Sequence, residues 1–249
     1  MPKTSGLGDN FYVGGVNLSG DIGSVDNVTL SRGTFEVTGI DKSAKERIHG
    51  IKDGGMAFTS FFNPSAGQSF PVLKALPTTD VVCSYFRGTT TGSPAASCVS
   101  KQINYDGTRS DSGEMTFKTS VEANGYGLEW GRMLTDGIRT DTSATSPATG
   151  YDTVASASFG GQAYLHVFSV TGTSVTVTIE DSADNLTFIP IASPMAFAAV
   201  NGAATSAQRI SISNTSTIRR YVRVRTQGTF TNAQFAVSLV KNEVAGEQF

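Results

Sequence analysis

The clearest pattern in the chain is period-2 alternation. Met115, Phe117, Thr119, Val121 and Ala123 alternate with Thr116, Lys118, Ser120 and Glu122. That period predicts a strand over 115–123 with one packed face and one wet face. Segments 81–86 and 96–105 read as strands on either side of a Thr/Gly/Ser/Pro-rich loop. Segments 11–16, 34–40 and 56–62 read as further strands, with Asp53-Gly54-Gly55 as a turn before the last. Two short helices are predicted between them. One is Ser43-Ala44-Lys45-Glu46, which has capping-box spacing. The other lies within 65–76 and starts at Pro71, because proline suits a first helical turn.

After residue 150 the pattern is strands only. Segments 162–170, 174–181 and 186–191 predict a meander, with Thr171-Gly172 and Asp184-Asn185 as its turns. Segments 208–213, 219–226 and 234–240 complete about six strands, which suggests a sandwich. Between the two parts, residues 136–150 read DGIRTDTSATSPATG, small and polar with Pro147 and Gly150. The predicted organisation is therefore residues 1–135 with an N-terminal arm over 1–10, a linker over 136–150, and a second domain over 151–249. Asp136, Asp141 and Asp152 are expected to keep the linker solvated. The fold class is mainly β, a sandwich or barrel with one or two short helices, followed by a C-terminal β-sandwich.

Composition narrows the function. The chain has 249 residues, 16% charged and 27 of them glycine, with a net charge of -2. No apolar run approaches the ~20 residues of a membrane-spanning helix. There is no bulk positive charge for holding nucleic acid. The first residues lack the apolar core of a signal peptide, so synthesis and retention in a cytoplasm are expected.

Candidate chemistry is sparse. His49 and His166 are the only histidines. With Cys83 and Cys98 fifteen positions apart, they do not form a zinc-ligand pattern. No Gly-x-Ser-x-Gly elbow occurs. Gly6-Leu7-Gly8 and Gly14-Gly15 lack the Lys-Ser/Thr of a phosphate loop, and are read as turn or close-packing glycines. No carboxylate pair can be placed at glycosidase separation. No catalytic, cofactor-binding or metal-binding residue is assigned. Cys83 and Cys98 are symmetric about the 81–105 loop, which predicts that they face each other across neighbouring strands. A bridge would be slightly stretched there, and two buried free thiols are the favoured reading. Arg219, Arg220, Arg223 and Arg225 form the one basic cluster. Arg219, Arg223 and Arg225 share a strand face with Tyr221, either as a solvated or subunit-contact face or as a ligand surface.

Three strings go beyond generic β pattern: Gly39-Ile40-Asp41-Lys42-Ser43, Ala57-Phe58-Thr59-Ser60-Phe61-Phe62-Asn63, and Tyr126-Gly127-Leu128-Glu129-Trp130-Gly131. In combination, within 6–63 and 98–132, they resemble the major tail, or tail tube, proteins of long-tailed phages of actinobacteria. The likeness extends more weakly through 158–162 and 181–185. It implies a β-sandwich or barrel core with a short helix, assembling into hexameric rings. Such rings stack into a tube that conducts DNA during ejection, and some members carry an outer C-terminal β-sandwich. The partners implied are further copies of the chain, a tape measure protein, a tail terminator and double-stranded DNA in transit. Host surface glycans are a possible partner of 151–249. The implied location is the virion tail, assembled in the host cytoplasm, with no enzymatic role and no cofactor. The alternative reading is a low-copy tail-tip or host-surface glycan-binding protein. On the tube reading, Glu114, Lys118 and Glu122 are candidate lumen-facing residues. Asp41, Lys42, Lys45, Arg47, Arg219, Arg223 and Arg225 are candidate inter-subunit contacts.

Overall fold

The computed structural model describes residues 5–191 and 195–245. Its strands are β1 (Asn10–Val13), β2 (Val16–Asn17), β3 (Ile22–Glu36), β4 (Arg47–Phe61), β5 (Val81–Phe86), β6 (Pro94–Gln102), β7 (Asp106–Arg109), β8 (Met115–Ala123) and β9 (Glu129–Met133). They continue with β10 (Arg139–Asp141), β11 (Tyr151–Asp152), β12 (Gly161–Ser182), β13 (Ile189–Pro190), β14 (Val200–Asn201), β15 (Ser206–Ile212) and β16 (Tyr221–Lys241). One helix, α1 (Ser69–Leu73), lies between β4 and β5. The fold is mainly β, and every strand pairing is antiparallel.

Two long ribbons organise it. The first is β3 with β4, paired from Ile22↔Ser60 to Glu36↔Arg47. Its root packs on the body through Met56 and Phe58, whereas residues beyond Leu30 stand out as an exposed arm. The predicted helix at Ser43–Glu46 is absent, because this segment closes the arm. The backbone N–H of Val37 donates to the Glu46 carbonyl and that of Glu46 to Thr38 Oγ1, which holds the chain in a hairpin end. The predicted turn at Asp53-Gly54-Gly55 is also absent. Both glycines lie inside β4, where a Cβ on Gly54 would stand 2.4 Å from the Thr29 carbonyl oxygen and one on Gly55 2.4 Å from that of Val121. Glycine serves close strand approach here, not chain reversal.

The second ribbon is β12 with β16, paired from Gly161↔Lys241 to Ser182↔Tyr221. The predicted turn at Thr171-Gly172 is instead a bulged region within one strand. Gly172 has φ 147°, and a Cβ there would stand 2.4 Å from Phe230 Cα, which no side chain would allow. Leu165 and Val167 on one side of the bulges and Val175, Val177 and Ile179 on the other belong to one core. The ribbon therefore folds back over itself. Asp184-Asn185 does turn the chain, with Asn185 at φ 60° and Asp184 Oδ1 accepting from the Leu186 and Thr187 backbone N–H groups. Those bonds hold the Asp184 carboxyl down to about 2.

Other expectations can be placed on this frame. Gly14 and Gly15, at φ 59° and 84°, form the tight β1–β2 turn. Helix α1 carries Pro71 in its first turn, and Asp21 Oδ2 accepts from the Ser69 backbone N–H at 2.8 Å. Cys83 and Cys98 are register partners on β5 and β6 and are both free, buried thiols. Burial pushes the Cys83 thiol up to about 11. Residues 136–150 contribute β10, and Asp141 is not solvated as expected. It is buried against Arg139 and Thr226. In the N-terminal arm, residues 1–4 lie outside the described residues. Asp9 and Asn10 belong to the body, since Asp9 accepts from the Tyr85 hydroxyl and Asn10 pairs with Phe86.

The two parts of the chain share hydrogen bonds and core. Strand β9 pairs with β6 on one side and β16 on the other. Tyr12, Phe86 and Met133 pack with Ala236 and Phe168.

Candidate assembly surface

Strands β3, β4, β8 and β7 lie side by side in that order. One face of this sheet packs inward through Val25, Val28, Met56, Phe58, Phe117 and Val121. The register fixes what the opposite face carries. Gly55 pairs with Glu122, Ala57 with Ser120, Thr59 with Lys118, and Phe61 with Thr116. Thr29 and Asn27 on β3, with Asp106 and Thr108 on β7, extend the same face. The face is small and polar, and its charged residues are Asp26, Asp53, Asp106 and Glu122 against Lys118 and Lys101, the β6 partner of Glu122. Asp26 is held in place by Ser24 Oγ at 2.6 Å and Thr59 Oγ1 at 2.9 Å. Glycines 54 and 55 leave a depression of about 310 Å³ rimmed by Asp53 and Glu122.

The candidate lumen residues therefore fall together. Lys118 and Glu122 are exposed on this face, and Glu114 is exposed just before β8. Sequence reasoning missed Asp26 and Asp106. Asp26 sits at a bulge that breaks the alternation of β3, and Asp106 belongs to a strand too short to show a period.

Both outer strands of this sheet are edges. Among the described residues, strand β3 pairs only with β4, and β7 only with β8. A long unpaired edge presents a row of free N–H and C=O groups to any further strand.

The arm beyond Leu30 is apolar for an exposed hairpin. Leu30, Phe35, Val37, Ile40, Ile48 and Ile51 are all exposed, and Phe35 pairs across the ribbon with Ile48. At its tip, Lys45 pairs with Glu36 at 2.8 Å, and Lys42 stands 3.7 Å from both Asp41 and Glu46. Arg47 lies opposite Glu36. The structure thus brings Asp41, Lys42, Lys45 and Arg47 to one exposed tip. The apolar residues beside them were not singled out from sequence. Their signal was bulky apolar side chains in a stretch that stays exposed.

The arginine cluster is placed differently. Arg219 holds Asp181 through Nε at 2.8 Å and Nη2 at 2.5 Å, and Arg223 holds Glu180 at 2.6 Å. Arg225 reaches the other oxygen of Glu180 at 3.1 Å, and Arg220 pairs with Asp152. Glu180 and Asp181 are buried at 2% exposure each, so these guanidiniums neutralise carboxylates inside the same chain.

His166 is fully buried, whereas His49 is exposed on the arm. His166 Nδ1 accepts from the Gly15 backbone N–H at 3.3 Å. The proton of the neutral ring is then on Nε2, which donates to Ser84 Oγ at 2.9 Å. Ser84, Ser97 and Ser238 continue the chain of bonds at 2.8 and 3.2 Å. Burial lowers the imidazole to about 3, so the ring is neutral near pH 7. Among the described residues no group of three or more His, Cys, Asp or Glu side chains is arranged to hold a metal ion.

No protein-family model and no curated protein matches the chain. Solved structures do match, at low TM-scores. One is the crystal structure of the SPP1 Dit protein, described as a paradigm of hub adsorption apparatus in phages infecting Gram-positive bacteria. It is 11% identical with a TM-score of 0.31, over 94% of this chain and 99% of that one. A chain of the phage p2 baseplate in its activated, strontium-bound conformation is 7% identical with a TM-score of 0.37, over 95% and 99%. The calcium-bound form of the p2 baseplate gives 8% and 0.35 over the same shares.

Proposed function

We propose that the protein is a non-enzymatic structural subunit of a phage tail. It polymerises as stacked, hexameric rings into the tube that conducts DNA during ejection. The observation that carries this reading is the four-stranded sheet β3-β4-β8-β7, with an open edge on each side and a polar, net acidic free face. Pairing β3 of one copy with β7 of the next would extend the sheet around a ring and remove both edges. The free face would then line the bore. A conduit for DNA must not hold phosphate, and carboxylates in excess of ammonium groups meet that need.

The arm supplies the second contact. Burying six large apolar side chains against a neighbour is worth on the order of 10 kcal/mol gross. Association itself costs a comparable amount. The arm and the edges are therefore both needed, and assembly is a property of many copies together. The sequence resemblance to tail tube proteins points the same way and names the further partners, a tape measure protein and a tail terminator. The test is the number of copies per particle by quantitative mass spectrometry. Many copies, scaling with tail length, support a tube subunit. A handful would favour a ring at the tail tip.

A further inference from the structure

Trp130 is the chain's single tryptophan, and 41% of it is exposed. It stands between two depressions of about 560 and 450 Å³, which share Trp130, Lys241 and Glu243. Together they form one groove across β9 and the end of β16. The first depression also reaches Gln162 and Asn242, and the second reaches Arg132 and Tyr151. Next to the indole, Gly131 is bare of necessity, because a Cβ there would lie 2.2 Å from the Leu239 carbonyl oxygen.

Two features mark this groove as a built site. Gln162 is 1% exposed, and its Nε2 donates to Glu129 at 2.6 Å. Its Oε1 has no hydrogen-bond partner among the described residues. A buried acceptor left without a donor is costly, and that cost is carried by a residue in the wall of the first depression. The rim of the second depression is strained. Val154 sits at φ 74°, an outlier for a β-branched residue. It is held there by its N–H bond to Asp152 at 2.7 Å, while Lys241 Nζ donates to Thr153 Oγ1 at 2.6 Å and to the Ala155 carbonyl. Strain of this kind persists where the surroundings over-determine a functional shape.

We propose that this groove binds a pyranose oligosaccharide, with one sugar ring stacked on the Trp130 indole. The chemistry favours that class. A pyranose has an apolar C–H face that suits an exposed aromatic plane, and hydroxyls that need donors and acceptors at close spacing. Arg132 supplies donors and Glu243 supplies acceptors at the groove surface. A purely apolar segment would leave these groups unpaired, and a nucleic acid would meet Glu243 at the centre of its path. The groove lies on β9 and β16, and the far wall of its first depression is Leu30, Ser31 and Arg32 of the edge strand β3.

The test uses the full chain and the emission of Trp130, which as the sole tryptophan reports on this groove alone. The probes are chitotetraose, cellotetraose and tetragalacturonic acid, which separate N-acetylated, neutral and anionic sugars. A saturable emission change is expected with at least one. Calorimetry should then show affinity falling about tenfold or more in Trp130→Ala, the loss typical of an aromatic anchor. Glu243→Gln should weaken binding several-fold with Tm unchanged. The proposal is overturned by no saturable change with any probe up to about 10 mM. It is equally overturned if Trp130→Ala keeps its affinity, or if emission follows protein concentration alone, which would place a second copy in the groove. Tails built from Trp130→Ala are scored in parallel. Normal tubes with lost sugar binding would separate this site from the assembly function.

Discussion

His166 on β12 and Ser84 on β5 are joined by a 2.9 Å hydrogen bond across 82 positions of sequence. The bond ties the two parts of the chain together inside a fully buried pocket. Its consequence is a pH dependence with a definite sign. The folded imidazole titrates at about 3, against 6.5 for a free one. The unfolded chain therefore binds a proton that the folded chain refuses. Stability from this residue is full above about pH 6.5 and falls as pH drops toward 3, by about 1.4 kcal/mol per pH unit. Denaturant melts of wild type and His166→Gln between pH 7 and pH 4 check it, to the nearest whole pH unit. The wild type should lose stability more steeply, and parallel curves would contradict the assignment.

The glycines inside β4 give a second prediction. Gly55→Ala should destabilise by about 1–3 kcal/mol, because the new Cβ must push β4 away from β8. Gly20→Ala, where nothing lies within 4 Å, is the control and should leave Tm nearly unchanged. Equal Tm values for both variants would mean that β4 and β8 are not in this register.

Arg219 is the clearest of the paired arginines. Removing it by Arg219→Ala strips both guanidinium donors from buried Asp181 Oδ1 and leaves only the residue-219 backbone N–H on Oδ2. The expected cost is about 2–3 kcal/mol, less than for a fully buried pair because the arginine is 30% exposed. Thermal unfolding measures it. An unchanged Tm would instead return Arg219 to the role of a contact made only between subunits.

The arm separates folding from assembly. Ile40→Asp together with Ile51→Asp should leave the monomer's unfolding free energy within about 0.5 kcal/mol of wild type, since both side chains are exposed. Tail formation in infected cells should fail. Normal tails would remove the arm from the assembly account.

Charge in the bore gives the fifth prediction. Glu114→Lys with Glu122→Lys should slow DNA release from assembled particles, and more so at low salt, because added ammonium groups retain phosphate. Release kinetics followed with a DNA-binding dye would show it. Wild-type kinetics would place these residues outside the bore.

Much of this was legible in sequence where one physical demand dominates. Strand β8 was plain because its two faces meet different surroundings. The facing of Cys83 and Cys98 followed from loop symmetry. The misread places are those where a residue type serves two purposes. Thr171-Gly172 and Gly54-Gly55 carry turn chemistry, yet the glycines are there for close backbone approach. Ser43–Glu46 has helix-start spacing, but the long ribbon on either side sets its conformation. Buried Gln162, Tyr164 and His166 were hidden because β12 is packed on both faces, which erases alternation. The apolar arm was missed for a related reason, since Phe35 and Ile51 are exposed and no buried face marks them in the alternation.

The central claim is tested most directly by electron microscopy of intact particles labelled with an antibody against residues 151–249. The account predicts label repeating along the whole tail shaft. Label confined to the tip, or found on the capsid, would contradict it.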